Sequence, residues 1–265
     1  MSLWLLAYLA LGAVAGLFAG LLGIGGGIVM VPVFALLFAA QGFPAEHLMH
    51  LALGTAMATI IFTASCSLRT HHAHGAVLWP VVARLSTGIV AGALLGPLLA
   101  AQIPTRPLAI LFTVFMAYVA FQLLLDPKPQ ASRALPGPLG LFGAGLGIGA
   151  LSALVSIGGG SLVVPFLTAC NVKMHQAIGT SAATGLPIAL TGTTGYILAA
   201  QGAGNLPEGS FGFIYLPALF AAAGASMLLA PVGARLAHRL PVALLKKIFA
   251  GVLLLLLAKM LHGLL

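Results

Sequence analysis

Two short stretches of the chain carry the residues best suited to binding chemistry, and they are copies of one another. Gly25-Gly26-Gly27-Ile28-Val29-Met30-Val31-Pro32 recurs as Gly158-Gly159-Gly160-Ser161-Leu162-Val163-Val164-Pro165, a constant offset of 133 positions. Three glycines and a proline each weaken a continuous helix, so each stretch reads as a break followed by a new helix start. The first backbone N–H groups of a helix have no intrahelical partner and lie at the positive end of the helix dipole. Glycine lets a ligand approach them closely, so two such starts facing each other suit a small anion. Ser161 adds a hydroxyl at the second start. In membrane proteins, interruptions at matching points of two halves point to a transporter's substrate site. An isolated glycine serves close helix packing just as well. The duplicated triplet with its proline is what favours binding.

A second set of candidates lies downstream of each triplet. Thr55 and Thr180 match at an offset of 125, with Thr59 and Thr184 one turn later and Ser181 beside them. Their hydroxyls share one helical face and predict a polar lining, although threonine in a membrane helix also bonds its own preceding turn. His50 and His175 sit at the mouths of these segments as pathway or gating candidates, or as plain interfacial residues. Arg84 lies about two turns into its segment, where it either snorkels to the surface or serves function from within the membrane. His71-His72-Ala73-His74 has no carboxylate or cysteine company, so no metal site is expected there. Gly23-Ile24-Gly25-Gly26-Gly27-Ile28 lacks the final small residue and the βαβ setting of a dinucleotide fingerprint. No cofactor is expected.

The elements that position these residues must be membrane helices. Of 265 residues, 61% are hydrophobic and 5% charged, with a mean hydropathy of +1.15. A soluble domain carries roughly 25% charged residues, so this chain cannot cover a water-facing surface. The net charge of +8 comes from basic residues scattered over loops, without the clusters or interleaved aromatics of a nucleic-acid binder. The first apolar run has no Lys or Arg before it and leads straight into the first triplet, so it reads as a retained membrane segment. Cys66 and Cys170 lie in apolar surroundings, which indicates neither a disulfide framework nor a thiolate metal site.

Apolar runs predict segments near 3–22, 28–40, 48–68, 77–100 and 107–125, then 139–157, 160–171, 175–200, 211–233 and 242–263. The proline-bearing stretch 127–138 separates a first repeat, 1–126, from a second, 139–265. Trp79-Pro80 matches Leu216-Pro217, Ile103-Pro104 matches Leu240-Pro241 and Phe112 matches Phe249, all at an offset of 137. The arms 28–40 and 160–171 are too short to span a hydrocarbon core of about 30 Å. If each opening block crosses once, Lys and Arg divide six to three between the two faces. If each block is a hairpin with the glycines at its tip, the division becomes eight to one. The second fits the tendency of cytoplasmic loops to collect positive charge. An all-α polytopic protein follows, built as two inverted repeats, each a glycine-tipped hairpin plus three transmembrane helices. Both termini then lie outside the cytoplasm.

These residues resemble the TauE/SafE family of sulfite and organosulfur anion exporters. The resemblance rests on Gly20-Leu21-Leu22-Gly23-Ile24-Gly25-Gly26-Gly27 with Val31-Pro32, and on His50-Leu51-Ala52-Leu53-Gly54-Thr55. Their partners are Gly158-Gly159-Gly160 with Val164-Pro165 and Ala177-Ile178-Gly179-Thr180-Ser181. It implies a multi-pass cell-membrane protein that moves a small sulfur-containing anion, usually outward, with the lipid bilayer as its other partner. It leaves open which anion and which oligomeric state. The three acids, Glu46, Asp126 and Glu208, all fall in loops or at segment ends, so a relay of buried carboxylates is not expected. A passive anion channel uses the same pore chemistry and is the nearest alternative. An intramembrane enzyme lacks a base beside any candidate nucleophile.

Overall fold

A computed structural model describes residues 2–22, 25–125, 134–237 and 242–264. Ten helices follow in order: α1 (Ser2–Leu22), α2 (Gly27–Ala40), α3 (Leu48–Ala73), α4 (Trp79–Ala100), α5 (Thr105–Leu125), α6 (Pro138–Leu154), α7 (Gly160–Ala169), α8 (Met174–Ala199), α9 (Leu216–Ala237) and α10 (Val242–Leu264). Among the described residues, five helices are long and apolar enough to cross a membrane: α1, α3, α4, α5 and α9. At 26 residues, α8 is also long enough, about 39 Å at 1.5 Å per residue, but Ser, Thr, Gly and Gln lower its hydropathy. Large apolar side chains stay exposed along one face of α5 (Ile110, Val114, Tyr118, Phe121, Leu125), which a bilayer solvates at no cost.

The boundaries differ from the sequence expectation in three places, each for a local reason. Residues 211–215 are not helical. Ser210–Phe211 and Ile214–Tyr215 form a two-residue antiparallel hairpin turning at Gly212 (φ 60°), and α9 starts only at Leu216, with Pro217 as its second residue. Helix α6 stops at Leu154, because Ser156 takes a left-handed conformation (φ 49°). Helix α3 runs past 68 to Ala73 and carries its polar end with it.

The opening block of the first half folds back on itself. Tyr8 of α1 packs tilted or edge-on against Phe34 and Phe38 of α2, with ring centroids 6.0 and 6.3 Å apart. Gln41, at the end of α2, donates its side-chain N–H to the Tyr8 hydroxyl. A chain continuing in the direction of α1 would carry Gln41 tens of ångströms from Tyr8, so α2 returns beside α1 and the glycines form the tip.

The two halves interlock. Helix α1 packs along α9 and α4 along α6, while α3 lies against α8 and α5 against α10. Glycines make the first two pairings close enough for backbone contact. A Cβ on Gly12 would stand 2.2 Å from the Ala222 carbonyl oxygen, and one on Gly145 would stand 2.3 Å from that of Leu85. Gly16 and Gly149 meet Ser226 and Ile89 in the same way. Gly12 and Gly16 have their offset-133 copies in Gly145 and Gly149, and their neighbours Ala222 and Ser226 are the offset-137 copies of Leu85 and Ile89. These contacts are thus made twice, with the halves exchanged. The opening helix of each half packs on the fourth helix of the other, so neither half has a separate core.

Candidate functional site

The two glycine tips meet. Gly25 and Gly26 have φ of 78° and 77°, the left-handed region that glycine alone enters without strain. A Cβ on Gly25 would lie 3.0 Å from the Gly158 Cα, and one on Gly27 would lie 2.0 Å from the Ser156 carbonyl oxygen. Helix α2 starts at Gly27 with Gly26 as its cap, and α7 at Gly160 with Gly159 as its cap. The Gly26 carbonyl accepts from Val29 and Met30, and that of Gly159 from Leu162 and Val163. The copies are not conformationally equal, since Gly159 is right-handed (φ −53°) and the left-handed residue of the second tip is Ser156.

Beside this contact lies a small cavity, with about 10 Å³ open to the centre of a water molecule, which is the threshold for holding one. Gly25, Gly158 and Gly159 line it from the tips, Ile60, Ala64 and Ser67 from α3, and Ala182 and Gly185 from α8. None of these carries a charge. The available donors are therefore the helix starts, each equivalent to roughly half a positive charge, and one hydroxyl. At this size the cavity is too small for a sulfur oxyanion.

The remaining candidates divide by location. Thr184 and Ser181 lie against the second tip, where a Cβ on Gly159 would be 3.1 Å from Thr184 Oγ1 and 3.3 Å from the Ser181 carbonyl. The Thr184 hydroxyl donates to the Ser181 carbonyl at 3.0 Å. Ser161 and Ser181 are buried, and their hydroxyls have no partner. Thr55 and Thr180 sit elsewhere and join the halves instead. Thr55 Oγ1 accepts the Tyr215 N–H at 2.9 Å, and Thr180 Oγ1 accepts the Leu78 N–H at 3.0 Å, the same bond with the repeats exchanged. Beside them Gly54 meets Phe213 and Gly179 meets Ala76, again as a matched pair. Thr59 donates to the Thr55 carbonyl at 2.8 Å.

This placement gives Thr55 and Thr180 a structural duty. Thr55→Val and Thr180→Val are each expected to lower stability by about 1–3 kcal/mol, because each leaves a part-buried N–H without its acceptor. Melting of the purified variants in detergent measures this, and unchanged transitions would show that the two N–H groups find other acceptors.

The histidines are unequal despite their matched positions. His50 is buried and its Nε2 lies 3.2 Å from the Ala100 carbonyl and 3.1 Å from that of Ile103. Carbonyls only accept, so Nε2 carries the proton and ties the start of α3 to the end of α4. His175 is exposed, and so is Arg84 on α4.

Two polar residues that matter at the tips were not singled out from the sequence. The Thr63 hydroxyl lies 3.2 Å from the Gly25 carbonyl, holding α3 to the first tip. Ser67 lines the cavity itself. The signal was the spacing: Thr55, Thr59, Thr63, Ser67 and His71 recur every fourth residue, all on one buried face of α3. Matching against the repeat hides it, because the α8 counterparts of the last three are Ile188, Gly192 and Tyr196.

Comparison with known proteins adds the class. The family described as Sulfite exporter TauE/SafE matches residues 8–260. A protein of Haemophilus influenzae named Probable membrane transporter protein is 37% identical over 251 residues, covering 94% of this chain and 95% of its own length. Probable membrane transporter protein YunE of Bacillus subtilis is 27% identical over 174 residues, 58% of this chain and 64% of its own. A Probable membrane transporter protein of Xylella fastidiosa is 32% identical over 177 residues, 64% of this chain and 65% of its own. No solved structure matches the chain. With its helical architecture, its apolar spans and a family match over nearly its whole length, the chain belongs to the TauE/SafE sulfite exporter family of membrane transport proteins.

Proposed function

We propose that the protein exports a small sulfur-containing anion, such as sulfite or a sulfonate, across the cell membrane, with the anion held between the two glycine tips near the midplane. The observation that carries this reading is the approach of Gly25 to Gly158 with a cavity alongside, at the starts of two helices. The closed tips are one state of a carrier, and separating them admits the substrate.

An inverted arrangement of the repeats is part of the same reading, and helix packing supports it. The start of α3 lies beside the start of α9 through Gly54 and Phe213, whereas the start of α8 lies beside the start of α4 through Gly179 and Ala76. Since α4 begins where α3 ends, α8 begins on the side opposite to the start of α3. The exposed cations Arg69, Lys173, Arg235 and Lys247 then gather on one face, the cytoplasmic one by the distribution of positive charge. Both ends of the chain fall on the other face.

Glu46 and Glu208 are exposed, and the membrane potential alone favours outward movement of an anion by about 2.3 kcal/mol per charge per 100 mV. Asp126 lies outside the described residues. The test is flux of sulfite, sulfonates, sulfate and chloride from vesicles holding the purified protein. Saturation with counterflow of a sulfur oxyanion is the expected result. Large single-channel currents would replace the carrier with a channel, and absence of flux for every sulfur anion would remove the substrate class.

A further inference from the structure

Every hydroxyl of helix α3 but one has a hydrogen-bond partner, Thr55 as acceptor of the Tyr215 N–H and the others as donors to carbonyls. Thr59 donates to the carbonyl four residues back at 2.8 Å, Ser65 at 2.7 Å and Thr70 at 3.1 Å. Thr63 reaches Gly25 and the Ile60 carbonyl. These bonds are the ordinary resting state of a hydroxyl in an apolar helix. Ser67 is 3% exposed, yet its Oγ has no hydrogen-bond partner. A buried hydroxyl left in that state costs about 1–3 kcal/mol, and it stands in the wall of a cavity that both tips border. Its repeat counterpart is Gly192, so the hydroxyl is on one side only.

The charge of the site bounds what that hydroxyl meets. Two helix starts at roughly half a positive charge each balance about one negative charge. Among the described residues no Lys, Arg or His lines the cavity to balance a second, and an unbalanced charge is expensive away from water. We propose that Ser67 is the side-chain donor to a singly charged oxyanion held between the two tips, and that doubly charged anions are excluded. This rests on the reading of the tips as the binding site and adds the ligand's charge and its one side-chain partner.

The test uses the full-length protein in proteoliposomes, with methanesulfonate as a permanently singly charged probe and sulfate as a doubly charged one. Wild-type protein is expected to move methanesulfonate at least about tenfold faster than sulfate. Ser67→Ala is expected to raise the KM for methanesulfonate about tenfold without lowering the melting transition, and Ser67→Thr to restore it. If Ser67→Ala fails to fold, Ser67→Cys, a weaker donor of similar size, is read in its place with the same expected direction. Gly27→Ala separates the two levels of the claim. A dead Gly27→Ala with a wild-type KM in Ser67→Ala overturns the role of Ser67 and leaves the tips standing. Equal rates for sulfate and methanesulfonate overturn the charge limit. An active Gly27→Ala removes the tip site and this inference with it.

Discussion

Gly27→Ala is expected to abolish transport in reconstituted vesicles while the protein still inserts and remains monodisperse. The added Cβ would stand 2.0 Å from the Ser156 carbonyl oxygen and close to the Ile60 side chain, at 2.8 Å. Ordinary contact needs more than an ångström of extra room at the carbonyl, so the tips have to back away from each other. Gly27 is the first residue of α2, and alanine suits a helix better than glycine. The local helix therefore gains while the meeting of the tips is lost. A loss of about a hundredfold or more in flux is expected, since an ångström of misplacement has that effect where two elements share a geometry. Flux within twofold of wild type would show that tip contact is not part of the transport cycle.

Gly92→Leu is expected to unfold the protein rather than to silence it. A Cβ there would lie 2.0 Å from the Leu146 carbonyl oxygen and 2.7 Å from the Ala150 nitrogen, backbone atoms of α6 that have no rotamer to escape into. Overpacking of this kind costs about 1–3 kcal/mol, and more where backbone must move. The comparison variant is Gly143→Leu. Gly143 is on α6 itself, but nothing stands within 4 Å of its Cβ position, so a change within about 0.5 kcal/mol is expected. Melting and size-exclusion profiles of both variants in one detergent measure the difference. Equal stabilities would mean that α4 and α6 are not held as closely as their glycines indicate.

Much of this molecule was legible before any coordinates. Apolar runs separated by glycine, proline and charge marked the helices, because a bilayer demands about 20 apolar residues per crossing and internally bonded backbone throughout. The duplicated Gly-Gly-Gly stretch located two tips, because the close backbone approach at Gly25 and Gly27 leaves no room for a side chain. The hairpin in residues 210–215 escaped notice because its residues are apolar enough to pass for the first turn of α9. The unequal fates of His50 and His175 were equally invisible. A repeat in sequence says nothing about which copy finds two carbonyls at the end of a neighbouring helix.

What the sequence determined by itself is the class of solvent, the number of repeats and the places where helices break, since each follows from local composition and spacing. What only the tertiary structure decided is partnership. Thr55 and Thr180, which read as ligands of a polar pathway, turn their oxygens to backbone N–H groups of the opposite half, while the unremarked Ser67 faces the tips with its hydroxyl unused. The physical reason is that a hydroxyl on a buried helix face always seeks a partner. Which one it finds is set by the packing of α3 on α9 and of α8 on α4, contacts across 100 residues or more that no local pattern encodes.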